Sequence, residues 1–181
     1  SFPTRRSSDL GIGRTFQNLA LFNGMSVLDN ILLGRHIHMK PSVGRTALYW
    51  WLARSDETLN RAAVEDVIDF LQLEGVRDEL VDGIPIGLKK RVELARALAA
   101  EPSFLILDEP MAGMNQEEKE YMARFILDAR DERNVTVLLI EHHMDVITGI
   151  CDRMLALNYG EMIGSGVPAD EIGRASCRER V

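Results

Sequence analysis

The chain has 181 residues, of which 21 are basic and 28 acidic, so that its formal net charge at pH 7 is −7. This acidic balance argues against a broad nucleic-acid-binding surface. The longest apolar run in the middle of the chain, ALYWWLA, is far shorter than the roughly 20 residues of a membrane span, so we expect a cytoplasmic globular fragment with no bilayer-crossing segment.

The two ends of the chain are predicted to be translated adapter sequence. IGRASCRER, near the C-terminus, can be encoded by ATC GGA AGA GCG TCG TGT AGG GAA AGA. The opposite strand then reads TCT TTC CCT ACA CGA CGC TCT TCC GAT, which encodes SFPTRRSSD, the first nine residues. We therefore expect 1–10 and 172–181 to be non-native and 11–171 to be native polypeptide cut at both ends; a natural Arg/Ser-rich tail is the alternative. The ends hold five basic and two acidic residues, so the remainder has 16 and 26, a net charge of −10, and one cysteine, Cys151.

A short strand is predicted at the start of the native part, in GIGRTFQN, ending at Gln17. A glutamine amide at the end of a strand can ligate Mg²⁺ or its water. On a flexible loop the same side chain can report whether a nucleotide is bound.

A helix is predicted to begin near Gly87, because apolar residues recur there at helical spacing: Leu88, Val92, Ala95, Leu98 and Ala99. Its first turn holds Lys89, Lys90 and Arg91. Cations at a helix N-terminus cost roughly 0.3–1 kcal/mol each unless an anion lies close by. A glycine before exposed amides is also what a phosphate group requires. For the lysines, a solvated basic face is the preferred alternative to direct contact.

The stretch PSFLILDEP predicts a strand over 104–107 that is buried on both faces, as in parallel sheets. Open α/β sheets bind ligands beyond the carboxyl ends of their strands, where Asp108 and Glu109 stand. Alternation along the chain would let Asp108 reach a hydrated metal and Glu109 the water that attacks a γ-phosphate. Helix capping is the structural alternative for such a carboxylate pair.

A helix and a further strand follow. Asn115 is predicted to cap the helix with Glu118 three residues on, and its buried stripe is predicted to be Tyr121, Met122, Phe125, Ile126 and Ala129. VTVLLI then predicts a strand over 135–140, which precedes His142. A right-handed parallel crossover would bring this histidine to the sheet edge that holds the carboxylates. There it could sense a γ-phosphate, although a lone histidine at a strand end is usually structural.

Five stretches in this order, TFQN, IGLKKRVELARAL, FLILDEP, AGMN and LLIEHHM, resemble the ATP-binding subunits of ABC transporters. The closing DRMLALNYGEMIGSGVPADEI is similar to the terminal hairpin of that family. The resemblance implies ATP and Mg²⁺ as cofactors and assigns roles to six residues: Q-loop and metal to Gln17, signature glycine to Gly87, Mg²⁺ site to Asp108, catalytic base to Glu109, D-loop position to Asn115 and switch histidine to His142. It gives His143 no role, so an ordinary exposed side chain is expected there.

The sequence departs from the family pattern in three places. It has no Gly-rich phosphate loop ending in Gly-Lys-Ser/Thr. Its signature reads Ile84-Pro85-Ile86-Gly87 and lacks the usual serine. The D-loop aspartate is replaced by Asn115. The last two departures, together with RTFQN and an insertion at 36–62, resemble subunits that serve branched-chain amino-acid importers.

The resemblance implies a P-loop NTPase-like α/β core, a parallel sheet flanked by helices, with an inserted helical subdomain and without its phosphate-loop portion. The predicted segments are a non-native end at 1–10, core at 11–26, helical subdomain at 27–86, core at 87–171 and a second non-native end at 172–181. Tyr49–Leu52 in the insertion could contact a transmembrane partner or cover the subdomain.

The function implied is ATP hydrolysis that powers branched-chain amino-acid import. The implied partners are transmembrane permease subunits and a second ATP-binding subunit, at the cytoplasmic face of the membrane, with no nucleic acid. Urea or amide uptake and lipid export remain open, as does a soluble ABC ATPase acting on ribosomes or DNA. The net charge of −10 argues against the soluble class.

Overall fold

A computed structural model of the chain describes residues 11–15, 21–35 and 49–168, with side chains in the last range from residue 59 onward. The chain divides into two compact units, Ser1–Ile140 and Glu141–Val181. This division does not coincide with the predicted helical subdomain, which stays a prediction. Both predicted non-native ends lie outside the described residues.

Unit 1 contains a parallel three-stranded sheet in the part of the chain that is described. Its strands are β1 (Ile12–Arg14), β2 (Phe104–Asp108) and β3 (Thr136–Ile140), in the order β1-β2-β3. Both predicted strands after residue 100 are therefore confirmed. In β2 the alternate residues Leu105 and Leu107 are fully buried, whereas Phe104 and Ile106 are half-buried, so burial on both faces is only partial.

Helices flank this sheet in the described part of unit 1. They are α1 (Val27–Gly34), α2 (Tyr49–Phe70), a 3₁₀ helix (Glu74–Val76), α3 (Ile86–Leu98) and α4 (Gln116–Arg133). α1 packs closely on α3: a Cβ at Gly34 would clash with the carbonyl oxygen of Arg96. No helix in the described ranges combines the length and the apolar character that crossing a bilayer requires.

The predicted buried stripe of α4 is confirmed except at Tyr121. Met122, Phe125, Ile126 and Ala129 are buried and follow helical spacing, whereas Tyr121 is 41% exposed. Tyr121 precedes the first position of the stripe, so it lies at the edge of the buried face. The Arg91 guanidinium lies 5.6 Å from the centre of its ring, at a distance typical of a cation–π contact.

Unit 2 contains α5 (Met144–Ile150) and an antiparallel hairpin of β4 (Met154–Asn158) and β5 (Glu161–Gly166). The hairpin turn consists of Tyr159 and Gly160, whose φ angles are 47° and 85°. Positive φ at both central residues is typical of a type I′ turn, which matches the twist of the strands it joins. The predicted terminal hairpin is thus present.

Candidate functional site

Asp108 ends the central strand β2, and its backbone is tied to Thr15, the residue that follows β1. Its amide donates to Thr15 Oγ1 at 3.3 Å, and the Thr15 amide in turn donates to the Ile106 carbonyl at 2.9 Å. The Asp108 carboxylate is 21% exposed and lies 3.7 Å from an Arg14 guanidinium nitrogen. The carboxylate is thus fixed at the carboxyl end of the sheet and remains accessible to a ligand there.

Glu109 turns the chain sharply out of the strand. Its φ is +46°, in the left-handed region, although it precedes a proline and is not a glycine. Its amide donates to the Ile140 carbonyl at 3.0 Å, and its carbonyl accepts from the Ala112 amide at 3.2 Å. Glu109 therefore does not continue the extended backbone of β2, on which the predicted alternation of the two side chains depends. Such a left-handed conformation costs of order 1–3 kcal/mol and persists where the surroundings fix it.

Gly87 lies in the first turn of α3 and packs against α4. It is buried, and an added Cβ would clash with the Glu118 carboxylate. The first turns of α3 and α4 are thus in contact, and at Gly87 only glycine fits without displacing the Glu118 side chain. The helix predicted to begin near Gly87 is confirmed.

The basic residues that follow Gly87 are not one solvated face. Lys90 is 5% exposed and its ammonium lies 3.9 Å from a carboxylate oxygen of Glu93, which is 2% exposed. The prediction of a solvated side chain is therefore wrong for Lys90, because its position on α3 faces the interior. Lys89 is half-buried and donates to the Asp82 carbonyl at 3.3 Å. Local sequence carries no signal for this burial, because Lys90 lies within a run of three basic residues.

Asn115 caps α4 as predicted. Its side-chain oxygen accepts from the Glu118 amide at 2.9 Å, and a Glu118 carboxylate oxygen accepts from the Asn115 amide at 2.9 Å. These reciprocal bonds form a capping box. The D-loop role of Asn115 stays a prediction.

In unit 2, His143 is not an ordinary exposed side chain as expected. Its Nδ1 lies 3.1 Å from Glu141 Oε2, and the Glu141 side chain is fully buried. The His142 ring is 4.2 Å from that of His143, centre to centre. The potential ligand atoms of Glu141, His142 and His143 lie within 4.8 Å of one another, so these three residues could hold one metal ion. A glutamate and a histidine two positions apart in extended chain share a face, which was the available sequence signal.

The structure places two of the predicted site residues next to each other, whereas the relative positions of the others stay predictions. Asp108 and Glu109 lie side by side at the edge of the sheet in unit 1. Gln17 lies outside the described residues, and His142 belongs to unit 2. Convergence of the four on one cleft therefore stays a prediction.

The pKa values of Arg96 in α3 and of Cys151 after α5 are shifted from their ordinary values. Burial lowers the pKa of Arg96, and the negative charge of Glu93 acts in the opposite direction. Burial also raises the pKa of the Cys151 thiol, with a further contribution from the charge of Asp152.

Comparison with known proteins decides the family. A sequence model of the ABC transporter family matches residues 2–112, more than half of the chain. The chain belongs to the ABC transporter family. The matched range begins inside the first ten residues, whose assignment to adapter sequence stays a prediction.

Two curated ABC proteins illustrate the range of similarity. The chain is 32% identical over 170 residues to the high-affinity branched-chain amino acid transport ATP-binding protein LivG of Salmonella typhimurium. It is 31% identical over 159 residues to the sulfate/thiosulfate import ATP-binding protein CysA of Pseudomonas aeruginosa. These alignments cover 93% and 87% of the chain, which spans 66% of LivG and 45% of CysA.

Among solved ABC structures, cbiO1 from Clostridium perfringens, described as part of the ABC transporter complex cbiONQ, has a TM-score of 0.74 and 26% identity to the chain. The match covers 94% of this chain and 62% of cbiO1. The parallel sheet and its flanking helices are thus those of the P-loop NTPase-like ABC fold, as predicted.

Proposed function

We propose that the complete protein binds and hydrolyses ATP with Mg²⁺ as the ATP-binding subunit of a membrane importer. The observation that carries the proposal is the placement of Asp108 and Glu109 at the carboxyl end of β2, where open α/β sheets bind their ligands. Family membership supports the same chemistry, since ATP hydrolysis is typical of ABC transporter ATPases.

Asp108 fits a magnesium site because carboxylate oxygens are the ligands that Mg²⁺ prefers and its carboxylate is accessible at the sheet edge. The bound ion would neutralise charge that develops on the phosphate oxygens. Gln17 is proposed as a second group for the ion or its water. Asn115 and Gly87 are proposed to serve nucleotide binding, Gly87 through the opposite subunit.

Glu109 is proposed as the general base that takes a proton from the attacking water. The backbone of Glu109 leaves the extended path of β2 in a left-handed turn, and we propose that the two adjacent carboxylates do separate work. His142 is proposed to contact the γ-phosphate.

The transported substrate is proposed to be a branched-chain amino acid. The similarity to LivG supports it, as does the resemblance of the Ile84–Gly87 signature and the AGMN loop to that branch. Sulfate import is the second candidate because CysA matches at nearly the same identity. Transmembrane permease subunits and a second ATP-binding subunit are the proposed partners, at the cytoplasmic face of the membrane.

Uptake by cells tests the substrate. The full-length gene is first recovered by extending the coding sequence upstream. It is then deleted from the source cells, and their uptake of labelled leucine and of labelled sulfate is measured. Loss of leucine uptake alone, restored by the wild-type gene and not by an Asp108→Asn variant, is expected. Loss of sulfate uptake with unchanged leucine uptake would assign the subunit to the other import class.

A further inference from the structure

We propose that Lys90 is a positioning residue for Glu109. Held by Glu93 inside the packing of α3, its ammonium fixes the carbonyl of Glu109 and with it the left-handed turn that directs the Glu109 carboxylate. This inference rests on the proposed function, because the role of Glu109 as general base is itself proposed.

The burial of the Lys90–Glu93 pair is the first observation. Lysine and glutamate are almost never fully buried unless they are paired, yet the two side chains are 5% and 2% exposed. The distance of 3.9 Å joins Lys90 Nζ to Glu93 Oε2 across one turn of α3. Replacing such a pair by apolar residues often leaves stability unchanged or improves it, so stability alone is a weak explanation for it.

The group that Lys90 reaches is the second observation. Lys90 Nζ lies 3.5 Å from the carbonyl oxygen of Glu109, which also accepts from the Ala112 amide at 3.2 Å. On the other side, the Glu109 amide donates to Ile140 in β3 at 3.0 Å. Both peptide groups that flank the Glu109 Cα are therefore held, one by the sheet and the other by the turn and by Lys90.

The conformation of Glu109 explains why such support is required. A non-glycine residue at φ +46° relaxes unless its neighbours fix it. Lys90 contacts the backbone oxygen of Glu109. It therefore influences the position of the Glu109 Cα and, through it, the orientation of the Glu109 side chain. A misplacement of about 1 Å in a catalytic group can cost on the order of 100-fold in rate.

The α3 helix thereby connects two proposed sites. Its first turn holds Gly87, the proposed signature glycine, and Lys90 follows three residues later on the buried face. A shift of this turn would move the support of the Glu109 carbonyl.

The test is a set of variants in the full-length protein, with kcat and KM for ATP and the melting temperature measured for each. In the double variant Lys90→Met/Glu93→Met both charges leave together, so the melting temperature should change little. Its kcat should nevertheless fall by about 10- to 100-fold, with KM for ATP within about twofold. Lys90→Arg, which keeps a cation and a donor, should retain kcat to within about threefold.

Arg35→Met is the matched control. Arg35 is also a buried cation that donates to a backbone carbonyl, that of Ala99 at 3.2 Å, but it lies in the cap of α1. Its loss should lower the melting temperature and leave kcat per folded molecule unchanged. A similar fall of kcat in this control would indicate a general effect of buried charge and would overturn the positioning role.

Two further outcomes separate this inference from the proposed function. Wild-type kcat in the double variant, or equal losses of kcat in Lys90→Arg and in the double variant, overturns the role of Lys90. Glu109→Gln is measured alongside: if it abolishes turnover while the double variant keeps the wild-type kcat, only the positioning role fails. Full turnover in Glu109→Gln would overturn the general base and the positioning role together.

Discussion

Gly87→Ala tests the contact between the first turn of α3 and the capping box of α4. A Cβ added at Gly87 would lie 2.7 Å from Cδ and 3.3 Å from Cγ of Glu118, and real Cβ contacts essentially never fall below 3.0 Å. The Glu118 carboxylate must therefore move. Because one of its oxygens accepts the Asn115 amide at 2.9 Å, it moves at the expense of that hydrogen bond.

The expected free-energy change combines two opposing effects. Loss of the hydrogen bond costs about 0.5–1.5 kcal/mol. Alanine in place of glycine in a helix gains up to about 1 kcal/mol. In the wild-type background the free energy of unfolding should therefore change by between a loss of about 1.5 kcal/mol and a gain of about 0.5 kcal/mol. In a Glu118→Ala background the clash is absent, and Gly87→Ala should stabilise by up to about 1 kcal/mol.

Urea unfolding of the wild type, both single variants and the double variant gives the coupling energy. A value of about 0.5–1.5 kcal/mol is expected. Gly75→Ala is the matched control, because an added Cβ there has nothing within 4 Å and should not couple to Glu118→Ala. Additivity of Gly87→Ala and Glu118→Ala within about 0.3 kcal/mol would refute the contact.

Three further predictions concern other parts of the chain. Asn115→Ala should lower the free energy of unfolding in urea by about 1 kcal/mol, since it removes the N-cap of α4, and an unchanged value would contradict the cap. Cys151 should react with iodoacetamide at pH 8 more slowly in the folded chain than in urea, because burial and Asp152 raise its thiol pKa and so lower its thiolate fraction. The alkylation is measured on the tryptic peptide that contains Cys151, and equal rates in the folded and the urea-unfolded chain would refute this prediction. Tyr159→Asn should raise the free energy of unfolding by up to about 1 kcal/mol, because asparagine tolerates the left-handed φ of 47° better than tyrosine, and a loss of stability would contradict the turn.

The elements that could be predicted from the sequence rest on local signals. The apolar run that contains Leu105 and Leu107 predicted β2, and both side chains are fully buried. The spacing of Asn115 and Glu118 predicted the capping box, since the two groups interact across a single turn. In both cases the sequence signal lies within a few residues of chain, although β2 itself pairs with the distant strands β1 and β3.

The features that could not be predicted depend on contacts between distant segments. Lys90 belongs to a run of three basic residues, and only the packing of α3 decides that it is buried. The left-handed turn at Glu109 opposes the extended preference of a residue before proline, and bonds from β3 and α3 accompany it. Local sequence carries no signal for such bonds.

Hydrolysis of ATP with Mg²⁺ by the full-length protein, wild type beside Glu109→Gln, tests the central claim most directly. The wild type should hydrolyse ATP, and the variant should lose about 10²–10⁴-fold in turnover, as expected for loss of a general base. Its ATP dissociation constant should stay near the wild-type value, because Asp108 remains in place. An undiminished rate in Glu109→Gln, or the absence of hydrolysis by the wild type, would contradict the account.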